Sequence, residues 1–192
     1  MKLPRLTIYR SLWNELSRLV ATTTLEFGGV VVGRHARGGV LHVMKHFQLS
    51  HREANEGEIQ YDYDEVARVR KRIWGMYGPT LEPIGMWHNH PWPCRAREAL
   101  EGAQITNNDI SEMQVGDVEL ILTTYPLGAD DNGVPGDDCA LARTVDAGDE
   151  RIRVRLEAWL KVRDKNTHKE KSEGEDNRVQ ACILRVHHGA EE

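Results

Sequence analysis

The chain has 192 residues, 40% of them hydrophobic, with a net charge of -5 at neutral pH. That suits one compact domain, and the acidic, mixed-sign balance excludes a basic nucleic-acid footprint. No window approaches eighteen uncharged apolar residues, and the amphipathic start carries charges where a signal peptide would be apolar, so a cytoplasmic protein with no membrane span is expected. Three cysteines, Cys94, Cys139 and Cys182, lie far apart and fit no closed disulfide framework.

Residues 9 to 21 place Leu12, Trp13, Leu16, Leu19 and Val20 at helical spacing, with Asn14, Glu15, Ser17 and Arg18 on the polar side, and Thr22 to Thr24 close the helix. The run from Leu25 to Gly33 reads as a buried β-branched strand bounded by glycine, and residues 39 to 48 as a second strand. A second helix starts at Asp62, with Glu65 completing a capping box, buries Val66, Val69, Ile73 and Met76, and stops at Gly78-Pro79. Its basic run, Arg68 to Arg72, reads as a solvated face.

Residues 83 to 90 form a strand ending in His88-Asn89-His90-Pro91. From Pro91 to about Ile105 there is no clear period, though residues 96 to 101 allow a turn or two of helix, and a short helix follows Thr106. Residues 118 to 124 are another strand, 126 to 138 a loop, and 151 to 162 an alternating strand with Arg151, Arg153, Arg155, Glu157 and Lys161 on its polar face. After a polar loop, 179 to 186 can return as its partner. The whole reads as one α/β domain over 1–192 with a mixed sheet, an insertion at about 91–105 and a C-terminal β-hairpin extension at about 150–188.

His88 and His90 stand at i and i+2 on a strand end, so their imidazoles share a face and can grip one metal ion. With a third ligand of oxygen type, one position stays open for water, as catalytic zinc requires. A nearby carboxylate would then handle the proton of that water. Taken alone, such a pair more often serves local hydrogen bonding. His187-His188 lacks an acidic partner motif and reads as surface. Glu26 alone reads as a strand-edge carboxylate, Thr106-x-x-Asp109 as a helix capping box, and Trp87 and Trp92 as packing residues.

In order, the chain offers Glu26-Phe27-Gly28-Gly29 before an apolar strand, His88-Asn89-His90-Pro91, then Thr106-Asn107-Asn108-Asp109. Residues 9 to about 125 thereby resemble the JAB/MPN family of JAMM zinc metallopeptidases, which includes deubiquitinases and prokaryotic relatives. The resemblance implies a curved mixed β-sheet flanked by helices on both sides, similar to cytidine deaminases. It implies one catalytic zinc held by His88, His90 and Asp109, with Glu26 as acid/base. Thr106 stands where the family has a serine whose hydroxyl supports the oxyanion, and Gly28 and Gly29 would admit backbone and substrate closely.

The implied activity is zinc-dependent cleavage of a ubiquitin-like modifier from its conjugate or precursor. The partners would be that modifier and its activating and conjugating enzymes, in a bacterial ubiquitin-like pathway that could be antiviral. The alternatives are a non-catalytic JAB-like interaction module, which would typically have lost ligands, and a zinc hydrolase of small peptides or sulfur-carrier precursors. Two departures stand out. The spacing from His90 to Asp109 exceeds the family's, and Asn89 replaces a small hydroxyl residue but should be tolerated because it faces away. The longer spacing puts residues 91 to 105 beside the metal, where Cys94 is either an ordinary loop cysteine or a regulatory thiol that, as a thiolate, could fill the open zinc position and hold the enzyme inactive.

Overall fold

The computed structural model describes residues 3–54, 59–92, 105, 107–127, 139–163 and 177–188. Thr106, Cys94, the helical turns at 96 to 101 and most of the insertion and of the loops at 126 to 138 and 163 to 177 lie outside the described residues.

In chain order the elements are β1 (Arg5–Tyr9), α1 (Arg10–Ala21), β2 (Gly28–Ala36), β3 (Val40–Gln48), β4 (His51–Ala54), β5 (Ile59–Tyr61), α2 (Tyr63–Tyr77), β6 (Glu82–His90), α3 (Asn107–Glu112), β7 (Val118–Pro126), β8 (Ala140–Ala147), β9 (Glu150–Arg163), β10 (Asn177–Ala181) and β11 (Ile183–His187). The main sheet has nine strands in the order β10-β9-β7-β6-β2-β3-β1-β11, with β8 beside β9; β4 and β5 form a separate pair. It is mixed: β1 is parallel to β3 and β11, and β6 to β7, while the other pairs are antiparallel. The strands at the two ends of this path, β10 and β11, are separated in sequence by Cys182 alone, so the sheet curls until it is nearly closed.

Helices lie on both faces of the sheet. Inside the curl, α1 packs against β1, β3, β7, β8, β9 and β11, whereas α2 lies against β2 and β6. Burial on both sides explains the unbroken Val30-Val31-Val32: Val31 faces the α1 core with Trp87 and Leu120, while Val30 and Val32 face Ile73 and Leu81 under α2. The strand starts at Gly28 rather than Leu25, and its glycines pair within the sheet instead of bounding it.

Several local expectations change for physical reasons. Ser17, placed on the polar side of α1, is fully buried and donates to the Trp13 carbonyl at 2.5 Å, which spends its hydroxyl inside the helix. Asp62 caps α2 by accepting from the Asp64 amide at 2.9 Å, but Glu65 does not complete a capping box; its carboxylate accepts from the Ser50 amide at 3.2 Å. Met76 is exposed, because the stripe against the sheet runs through Val66, Val69, Ile73 and Tyr77.

The C-terminal hairpin ends early. β9 pairs with β8 on its first half and β10 on its second, but β11 leaves to run parallel beside β1, so 179 to 186 is two strands on opposite sheet edges. Cys182 makes the switch, with its amide on the Ala158 carbonyl at 2.8 Å and its thiol buried. Burial, with Cys139 nearby, pushes that thiol up to about 12, so it stays protonated and inert. No described helix is long and apolar enough to cross a membrane.

Candidate metal centre

β6 is antiparallel to β2 on one side and parallel to β7 on the other. Its alternation sends Trp87 and Asn89 toward α1 and leaves His88 and His90 on the opposite face. Trp87 is wholly buried, edge-on to Phe27 at 5.4 Å and His46 at 5.3 Å, so it is a packing residue. Trp92 is 38% exposed beside the histidines, its amide donating to the Thr124 hydroxyl at 3.2 Å.

Both imidazoles are buried, and their Nε2 atoms converge to 3.0 Å. The other ring nitrogen of His88, Nδ1, stands 2.7 Å from Oε1 of Glu119, a buried carboxylate on β7. That contact fixes the ring and turns Nε2 toward His90. Burial lowers the His88 pKa; the Glu119 hydrogen bond and charge outweigh it, helped by the charges of Asp109 and Glu26, so the value rises to about 8. At neutral pH this favours the imidazolium form of His88, whose Nδ1 donates to Glu119.

Glu26 is only 2% exposed, which overturns the reading of it as a solvated carboxylate. It lies in the segment between α1 and β2. Asp109 occupies the first turn of α3. The far end of that short helix is tied to β9: the Lys161 ammonium donates to the carbonyls of Ile110 at 2.7 Å and Met113 at 2.8 Å. Lys161 and Arg155, both expected on a solvated face, are each 8% exposed, so the polar side of β9 is largely covered. Arg155 pairs with Glu157 at 3.2 Å. A row of polar residues, His90, Thr123 and Arg155, crosses β6, β7 and β9 in register.

Thus His88 and His90 come together, and Glu26 and Asp109 lie near enough for their charges to act on His88. Among the described residues no group of three or more His, Cys, Asp or Glu side chains is already drawn together as a metal cage. The donor chemistry nevertheless fits zinc. Two nitrogens on a tetrahedral zinc stand about 3.3 Å apart at the usual bond length of about 2.0–2.1 Å. The observed 3.0 Å is within a few tenths of an ångström of that. A carboxylate holding the far nitrogen of a histidine is also what orients a metal-ligating imidazole.

Glu119 was not singled out from the sequence, and Lys161, placed there on a polar strand face, has a contact role that the sequence did not announce. Glu119 was detectable, since a lone acid within the apolar Val118 to Leu122 strand must find a partner. Glu119→Gln is expected to weaken zinc binding about 10–100-fold, as lost outer-shell partners do; competition with a colorimetric chelator measures it, and parent affinity would deny Glu119 its role.

The raised His88 pKa sets a pH dependence. In the metal-free chain its contribution to stability is full below about 6.5 and fades as pH rises through about 8. A zinc ion bound through His88 would have to displace that proton. Binding at pH 7 should therefore release about one proton from this site, falling toward none at pH 9.5. Calorimetry in buffers of different ionisation enthalpy reads the number, and release that does not change between those pH values would contradict it.

No family model matches the chain, and no curated protein matches it. Among solved structures it is similar to protein DSY2949 from Desulfitobacterium hafniense, determined in solution as a structural genomics target. The two share 13% identity at a TM-score of 0.54, over 95% of this chain and 94% of that one. At that identity the likeness is one of fold.

Proposed function

We propose that this chain is a JAMM-type zinc isopeptidase that cleaves a ubiquitin-like modifier from its conjugate or precursor. The carrying observation is the convergence of the His88 and His90 Nε2 atoms to 3.0 Å at the buried end of β6, with Glu119 holding the ring behind. Glu26 and Asp109 supply the carboxylates this chemistry needs, from the loop before β2 and from α3. The curled mixed sheet with helices on both faces suits a JAB/MPN domain.

His88, His90 and Asp109 would hold the zinc. When bound, zinc polarises a scissile carbonyl and makes water nucleophilic near neutral pH. A carboxylate oxygen of Glu26 takes the proton from the attacking water and returns it to the leaving nitrogen. The partners are a ubiquitin-like protein and the enzymes that activate and conjugate it.

Metal analysis of natively purified protein, paired with cleavage of fusions to a ubiquitin-like modifier, tests the proposal. About one zinc per chain and scission after the modifier's C-terminal residue are the expected results. Stoichiometric zinc with no cleavage of any fusion would favour a small-peptide hydrolase, and no metal with no cleavage an interaction module.

A further inference from the structure

The segment from Leu25 to Phe27 is not part of a strand, since β2 starts only at Gly28. A stretch of backbone beside a buried site needs other partners for its polar groups. The Thr23 hydroxyl serves Leu25, accepting from its amide at 3.2 Å and standing 3.3 Å from its carbonyl, and Asn89, the residue between the two histidines, supplies the rest. Its own amide donates to the Phe27 carbonyl at 3.1 Å. Its side-chain oxygen accepts from the Phe27 amide at 2.7 Å, and its side-chain nitrogen donates to the Leu25 carbonyl at 3.2 Å. The side chain thus acts as a peptide unit would, offering one acceptor and one donor to an adjoining chain.

The geometry points to Asn89 as a positioning residue: it clamps Leu25 and Phe27 on either side of Glu26, and so fixes the Glu26 carboxylate relative to the histidine pair.

This inference rests on reading Glu26 as the acid/base. Asn89 is wholly buried, so water cannot replace a lost contact cheaply. It faces away from the histidines, as expected from strand alternation, and asparagine is well accommodated there, but its contacts with Leu25 and Phe27 are ones a smaller residue does not reproduce. Serine can satisfy either the Phe27 amide or the Leu25 carbonyl with its one hydroxyl, at shorter reach, and alanine neither. Tying the acid/base to the strand that carries the ligands makes one rigid unit of groups that otherwise sit on separate elements. Misplacement of a catalytic group by about 1 Å can cost about 10²-fold in rate.

The test uses the full chain in two arms with Asn89→Ser and Asn89→Ala. In the metal-free protein, amide hydrogen exchange at Phe27 should speed up by about tenfold or more, while Leu120 and Val154 keep parent rates. In the zinc-loaded protein, kcat on a modifier fusion should fall about tenfold or more, with KM within about twofold and zinc content unchanged. Should alanine unfold the chain, serine carries the test. Parent exchange at Phe27, or a loss confined to KM or to zinc content, overturns the proposal. Parent-rate turnover in Glu26→Gln would instead sink the function reading; the exchange arm, run without metal, still decides the clamp on its own.

Discussion

Glu26→Gln should lose about 10²-fold or more in hydrolysis with zinc content unchanged, because in the proposed site the residue would move protons rather than hold the ion. Glutamine has the same shape and can still accept a hydrogen bond, so packing around this 2%-exposed side chain changes little. What disappears is the basic oxygen that takes the proton from water. The measurement is turnover on a modifier fusion alongside metal content and a thermal melt. Turnover at the parent rate would remove Glu26 from the chemistry. Loss of zinc together with activity would make it a ligand.

His90→Ala should abolish stoichiometric zinc, and His88→Ala should do the same. Both rings are buried with Nε2 atoms 3.0 Å apart, so neither ligand can be replaced by a side chain from solvent. The two variants should differ once metal is gone. His88→Ala leaves the buried Glu119 carboxylate without its 2.7 Å partner, whereas His90→Ala leaves that pair in place. Losing one hydrogen-bond partner of a buried charged group destabilises the folded chain even where its other contacts remain. The metal-free His88→Ala protein should therefore be less stable than metal-free His90→Ala. Equal denaturation midpoints would show that the His88–Glu119 contact adds nothing to the stability of the metal-free chain.

Much of this was legible in the sequence because the pattern and the burial coincide. The α1 and α2 helices, the Val30 to Val32 strand and the β6 strand carrying both histidines follow from periodicity and glycine stops. What escaped depends on pairing between distant segments. β1 and β8 are short or irregular in hydrophobic alternation and become strands only through neighbours. The division of 179 to 186 between two sheet edges is set by closure of the sheet, which no local window contains. Likewise, the side-chain roles of Lys161 and Asn89 are contacts with the backbone of segments 48 to 64 positions away, and residue identity alone does not announce them. Local pattern likewise sees Glu26 as a strand-edge residue, whereas the folded chain leaves it only 2% exposed.

The most direct test of the zinc centre is a titration of the metal-free full chain with zinc, followed through the imidazole nitrogens by NMR. The predicted result is saturation at about one equivalent, with the Nε2 resonances of His88 and His90 shifting together and the extra proton of His88 lost. Saturating zinc that leaves both of these rings unmoved, or that shifts His42, His187 or His188 instead, would contradict it.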